Sequence, residues 1–96
     1  MKYAKVPEAL IADPDVNDSA VRVYAALRRH EWALLSFGTP LPTHAELAAE
    51  LGRDPKSVQR AVVALDRAGW LDVERNGRGQ WTWIKCRDSQ RVDTAA

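Results

Sequence analysis

The sequence is short of several features that would point to particular kinds of protein. It has one cysteine, Cys86, so no internal disulfide can form, which suits a reducing compartment. Its purely apolar runs, such as Trp32 to Leu35 and Ala61 to Leu65, are far too short to span a bilayer. The opening Met1-Lys2-Tyr3-Ala4-Lys5-Val6-Pro7 lacks the apolar core of a secretory signal. A cytoplasmic protein with no membrane contact is therefore expected. There are only two histidines, His30 and His44, and their spacing to each other and to Cys86 suggests no metal site. No glycine-rich phosphate loop follows a strand, since Gly77-Arg78-Gly79 reads as a turn. No nucleophile-and-base constellation stands out, so neither an enzyme nor a cofactor is expected. Net charge is also nearly absent, at +1 over 96 residues.

The distribution of charge says more than its sum. Residues 1–52 carry 5 basic and 7 acidic side chains, residues 53–87 carry 8 and 4, and residues 88–96 carry 1 and 2. The positive charge is concentrated in one segment, which is what a polyanionic partner would meet.

The periodicity predicts a mainly α chain with a small β-hairpin. A short helix is expected over Val6–Ala12, broken by Asp13-Pro14-Asp15. Asn17 is a good N-cap for a second helix, with Ala20, Val23, Tyr24 and Leu27 as its inner stripe and an end near Trp32. Ser36–Pro42 reads as a loop in which Leu41, between two prolines, forms at most a very short edge segment. Thr43 with Glu46 three residues on is a capping box that opens a third helix, and Gly52 ends it. Asp54 as N-cap and Pro55 as first helical residue start a fourth, with Val58, Ala61, Val62 and Leu65 facing inward and Gly69 at its end. Leu71-Asp72-Val73-Glu74 and Gln80-Trp81-Thr82-Trp83-Ile84 then alternate with period two around Asn76-Gly77, a hairpin signal. The preferred register pairs Val73 with Trp81 and Leu71 with Trp83. It places four large apolar side chains on one face and leaves Asn76, Gly77 and Arg78 as the loop. From Cys86 to Ala96 there is no periodicity, so a domain over residues 5–85 with a disordered tail over 86–96 is expected.

Glu46-Leu47-Ala48, Leu51-Gly52, Ser57-Val58, Arg60, Leu65 and Ala68-Gly69-Trp70-Leu71, preceded by Val6-Pro7, Leu10, Ala20, Val23-Tyr24 and Leu27, resemble the bacterial winged helix-turn-helix family. The chain looks like the helix-turn-helix domains of phage and plasmid replication or regulatory proteins. It is similar, more distantly, to regulators of the MarR and GntR type. The resemblance covers about residues 5 to 85 and implies a cytoplasmic DNA-binding regulator, or the DNA-reading part of a mobile-element replication or partition system. Double-stranded DNA is the implied partner, and a homodimer the implied form.

The residues agree with that implication on their own. Once the inner stripe of the fourth helix is removed, Lys56, Gln59, Arg60 and Val63 share one outer face at spacings of three and four. Gln can bond adenine edges, Arg guanine edges, and Val a thymine methyl. Arg53, Ser57 and Arg67, with Thr43 and His44 at the start of the third helix, are candidates for phosphate contact, helped by free backbone N–H groups at the helix start. Arg75, Asn76 and Arg78 at the hairpin tip are candidates for a wing.

Two rival functions stand beside this one. A winged helix can serve as a protein-interaction module, with a protein partner the sequence does not name. The hairpin tryptophans can instead be stacking platforms for single-stranded DNA or RNA. Trp70, Trp81 and Trp83 are read here as filling a small core and the underside of the hairpin. Tyr24 and Trp32 fit either the core or a dimer interface. Cys86 reads as an inert or exposed thiol.

Overall fold

A helix begins where something replaces the backbone partners its first N–H groups lack. The first, α1 (Glu8–Ile11), is a single turn behind Pro7, which stands just outside it as the cap residue. Asn17 opens α2 (Asp18–Phe37) by accepting the Ala20 N–H at 2.8 Å. Thr43 and Glu46 open α3 (His44–Leu51) reciprocally, at 3.1 and 3.0 Å, as the capping box predicts. Asp54 caps α4 (Pro55–Arg67), with proline in its first turn. The antiparallel hairpin of β1 (Leu71–Arg75) and β2 (Trp81–Cys86) follows. The computed structural model describes residues 6–75 and 81–90. The architecture is the expected one, mainly helical with a small hairpin, in the order of a winged helix-turn-helix.

The core lies between α2, α4 and the hairpin. The predicted inner stripe of α4, Val58, Ala61, Val62 and Leu65, is buried, as are Leu47 and Ala48 of α3 and Ala20, Val23, Tyr24 and Leu27 of α2. Burying one of the valines or leucines contributes about 1.5–3 kcal/mol, before the entropy of ordering it is counted. Trp70 is buried too, and its indole N–H donates to Asp13 Oδ2 at 2.9 Å. That bond, with a second from the Asp15 N–H, holds the Asp13 carboxyl below its usual range.

Four expectations need correction. First, α2 runs to Phe37, so Ser36 and Phe37 are helical rather than loop. Ala33, Leu34 and Leu35 continue a helix readily, and the stop comes from Gly38 at φ 71. The N–H groups of Gly38 and Thr39 close onto the carbonyls of Leu34 and Ala33 there. Second, Leu41 is in no strand but packs half-buried against the core, because the prolines beside it have no N–H for a ladder.

Third, the hairpin register differs. Leu71 pairs with Cys86, Val73 with Ile84, Glu74 with Trp83 and Arg75 with Trp81. Ile84 and Cys86, both buried, thus take the positions opposite Leu71 and Val73 that the tryptophans were expected to fill. Because β2 continues to Cys86, the parity of its pairing with β1 is set by Ile84 and Cys86, and not by Trp81 and Trp83. An irregularity between Glu74 and Arg75 then shifts the ladder by one residue. The expected loop, Asn76 to Arg78, lies outside the described residues.

Fourth, Cys86 is a buried strand residue rather than an exposed tail thiol. Burial, followed by the nearby Glu31 carboxylate, pushes its thiol up to about 12, so it stays protonated. Beyond it, the Arg87 N–H donates to the Trp70 carbonyl, and the Gln90 amide donates to the Ala68 carbonyl. Residues 91–96 of the expected tail lie outside the described residues. Tyr24, left open between core and interface, belongs to the core, whereas Trp32 is 58% exposed and meets Phe37 edge-on at 5.3 Å.

Candidate nucleic-acid interface

Helix α4 divides sharply into two faces. Its apolar stripe is spent on the core, and Lys56, Gln59, Arg60 and Arg67 stand exposed on the rest. Val63 and Ala64 are half-buried between them. Gln59, Arg60, Val63, Ala64 and Arg67 line one shallow groove along the helix. The structure thus brings three of the four expected base-reading residues together with Arg67, which the sequence reading had set aside for phosphate. Lys56 lies one turn nearer the helix start. Ala64 was missed: it is the small residue that lets the groove floor sink between Arg60 and Arg67, and the i, i+4 spacing from Arg60 would have found it.

Among the described residues, no side-chain hydrogen bond or ion pair holds Arg53, Lys56, Gln59, Arg60 or Arg67. Their donors are free to meet a ligand. Arg67 also sits in the last turn of α4, where the helix dipole favours a cation. Arg53 is exposed in the tight turn that Gly52 makes possible, at φ 65.

The start of α4 differs from expectation. Free backbone N–H groups were to help hold a phosphate there. Instead Asp54 Oδ1 accepts the Lys56 N–H, and the Asp54 carbonyl accepts those of Ser57 and Val58. Pro55 has no N–H, and that of Arg53 is taken by the Ala48 carbonyl at 2.8 Å. Any anion at this end must be met by side chains. Ser57 and His44 are half-buried, and the exposed Thr43 has its hydroxyl committed to the Glu46 N–H. Of the wing candidates, Arg75 ends β1, while Asn76 and Arg78 lie outside the described residues.

Elsewhere Arg28, Arg29, His30 and Arg87 are occupied, while Arg22 and Lys85 are exposed without a partner among the described residues. Arg28 of α2 donates to the Cys86 carbonyl at 3.0 Å and to Asp88 at 2.6 Å. Arg29 and His30 both reach Glu50 of α3, at 2.6 Å each. Arg87 pairs with Asp72 at 3.0 Å. Among the described residues no three of His, Cys, Asp and Glu cluster so as to hold a metal ion, and no helix is long and apolar enough to cross a membrane.

Residues 19–79, from the first turn of α2 to beyond the end of β1, match the family described as bacterial regulatory proteins, gntR family. No curated protein and no solved structure matches the chain. The match covers well over half of the sequence and spans the whole helix-turn-helix, with the groove of α4 on its outer side. The chain belongs to the GntR family of bacterial regulatory proteins, and its helix-turn-helix is that of a DNA-binding transcriptional regulator.

Proposed function

We propose that the protein reads double-stranded DNA in a sequence-specific way through the outer face of α4. Lys56, Gln59, Arg60 and Val63 meet base edges in the major groove, and Arg60 is the residue suited to a bidentate contact with guanine. Arg53, Ser57 and Arg67, with Thr43 and His44, lie against phosphates, and Arg75, Asn76 and Arg78 form a wing. The observation that carries this reading is that the polar side chains on this face are exposed and uncommitted, while Arg28 and Arg29 of α2 are tied down.

With a net charge of only +1, one copy offers a polyanion few contacts. We therefore read the regulator as a cytoplasmic homodimer on paired half-sites. Trp32, Leu35 and Phe37 are the exposed apolar surface available for that contact at the end of α2. The resemblance of the chain to phage and plasmid proteins supports two settings, a transcriptional regulator or the DNA-reading part of a mobile-element replication or partition system. No cofactor and no catalysis enter this reading.

The test is selection of bound duplexes from a random pool, followed by isotherms on the recovered site at two salt concentrations. A recovered motif with two-fold symmetry, and affinity that falls steeply with salt, is the expected result. Absence of salt-dependent binding sinks the DNA reading and leaves the protein-interaction module. Equal binding to single strands, with quenching of tryptophan fluorescence, favours the single-strand binder instead.

A further inference from the structure

Three polar side chains on one stripe of α2 grip the base of the hairpin, where β2 ends. The Tyr24 hydroxyl donates to the Arg87 carbonyl at 2.6 Å. Arg28 Nη1 donates to the Cys86 carbonyl at 3.0 Å, and Nη2 to Asp88 at 2.6 Å. The Cys86 N–H in turn donates to Glu31 Oε2 at 2.9 Å. Positions 24, 28 and 31 recur at helical spacing, so a single face of α2 supplies all the donors and acceptors. Both backbone polar groups of Cys86 and the carbonyl of Arg87 are therefore met by α2.

This arrangement is dear in stability. Glu31 is 8% exposed and is the charged residue buried among the described ones. A buried carboxylate is often replaced by an apolar residue without loss, because its desolvation offsets what its partners return. What it supplies here is direction. A two-stranded hairpin does not hold its own tilt against the rest of a domain. The chain joins it to α4 through Ala68-Gly69-Trp70, with Gly69 at φ 86, and among its described residues Leu71, Ile84 and Cys86 are the ones buried in the core. From Leu71 to Arg75 the strand is about 13 Å long, so a tilt of about 10° at its base moves Arg75 by about 2 Å. That displacement exceeds the tolerance of a hydrogen bond.

We propose that Tyr24, Arg28 and Glu31 are positioning residues for DNA binding, a clasp on α2 that sets the angle at which the β1–β2 hairpin is held beside α4. The proposal rests on the reading of the hairpin as a DNA-contacting wing, and the experiment separates the two. The full chain carries Arg28→Ala, Arg75→Ala or both, and affinity for the selected duplex and its salt slope are measured well below each melting transition. Arg75→Ala alone weakens binding about 5- to 10-fold and lowers the salt slope by about 1. Arg28→Ala, which touches no DNA, weakens it comparably and lowers the slope too, while the double variant is no weaker than Arg75→Ala. Arg28→Lys, able to reach one of the two acceptors, recovers most of the affinity. Tyr24→Phe keeps the core packing and removes only the hydroxyl; it gives the same pattern at smaller size and serves if Arg28→Ala does not fold. If the two effects multiply, or if Arg28→Ala and Tyr24→Phe bind as the parent does, the clasp is only a stability device and the proposal is overturned. If Arg75→Ala alone binds as the parent does, the wing reading fails and the clasp falls with it.

Discussion

Helices α2 and α4 both carry arginines, and apart from the exposed Arg22 near the start of α2 they use them in opposite ways. Arg28 and Arg29 of α2 are spent inside the molecule, on Asp88 and the Cys86 carbonyl and on Glu50. Arg60 and Arg67 of α4, with Arg53 before it, have no such partner among the described residues. The two sets are alike in composition and in helical context. What separates them is whether an acceptor from another element comes within reach. For α2 it does, from the α3 side and from beyond β2. Among the described residues, no element packs over the outer face of α4. A cation left unpaired on a face that nothing covers is available to a ligand, and here the ligand of the family is DNA.

The contrast between the faces of α4 can be broken most strongly from inside. Leu65 is fully buried on the inner stripe, and Leu65→Ala is expected to lower unfolding stability by about 2–5 kcal/mol in denaturant titration, through lost burial and the cavity left behind. The affinity of the fraction still folded should stay that of the parent. Next in size is Arg60→Ala. It should cost about 1–3 kcal/mol of binding and relax the preference at one base pair, while stability stays within about 0.5 kcal/mol. If Arg60→Ala binds every duplex as the parent does, the outer face has been misassigned.

Arg29→Ala sharpens the contrast between the helices. Its pair with Glu50 is partly exposed, so stability should fall by less than about 1 kcal/mol and duplex affinity should not change. A loss of DNA affinity like that of Arg60→Ala would erase the division between committed and free arginines. The smallest effect is expected from Asp13→Asn. The Trp70 indole and the Asp15 N–H lower the folded-state pKa of Asp13 below 3.8. Its contribution to stability is thus present above the unfolded pKa and lost as pH falls through the folded one. Denaturation midpoints of parent and variant should differ near neutrality and converge as the pH drops below 3.8. Parallel curves would show that the Asp13 charge is not what Trp70 holds.

Much of this was legible beforehand because it depends on neighbours in the chain. The capping box of Thr43 and Glu46, the Asp54–Pro55 start, the Gly52 stop and the buried stripe of α4 each rest on residues within a turn or two of one another. The face of Lys56, Gln59, Arg60 and Val63 followed from the same spacing. What was misread depended on partners far away. The hairpin register turned on Cys86, whose place in β2 is secured by Glu31 and Leu71 and by nothing adjacent to it. The end of α2 was misjudged by stopping at a bulky Trp32 rather than at Gly38, though that signal was present. At the start of α4 the same Asp54 that caps the helix takes the backbone donors an anion would need, so the cap and the expected phosphate contact exclude each other.

The sequence by itself determined where helices start and stop, which side of α4 is apolar, and that a helix-turn-helix precedes a hairpin. These are local matters of backbone satisfaction and periodicity, decided within a few residues. Only the tertiary structure decided which cations remain free, which strand parity is buried, and that Tyr24, Arg28 and Glu31 converge on the end of β2. Those outcomes join residues far apart in the chain, more than fifty positions apart for the contacts of Tyr24, Arg28 and Glu31. No local rule carries them, because each depends on which distant acceptor the packed core brings within hydrogen-bond reach.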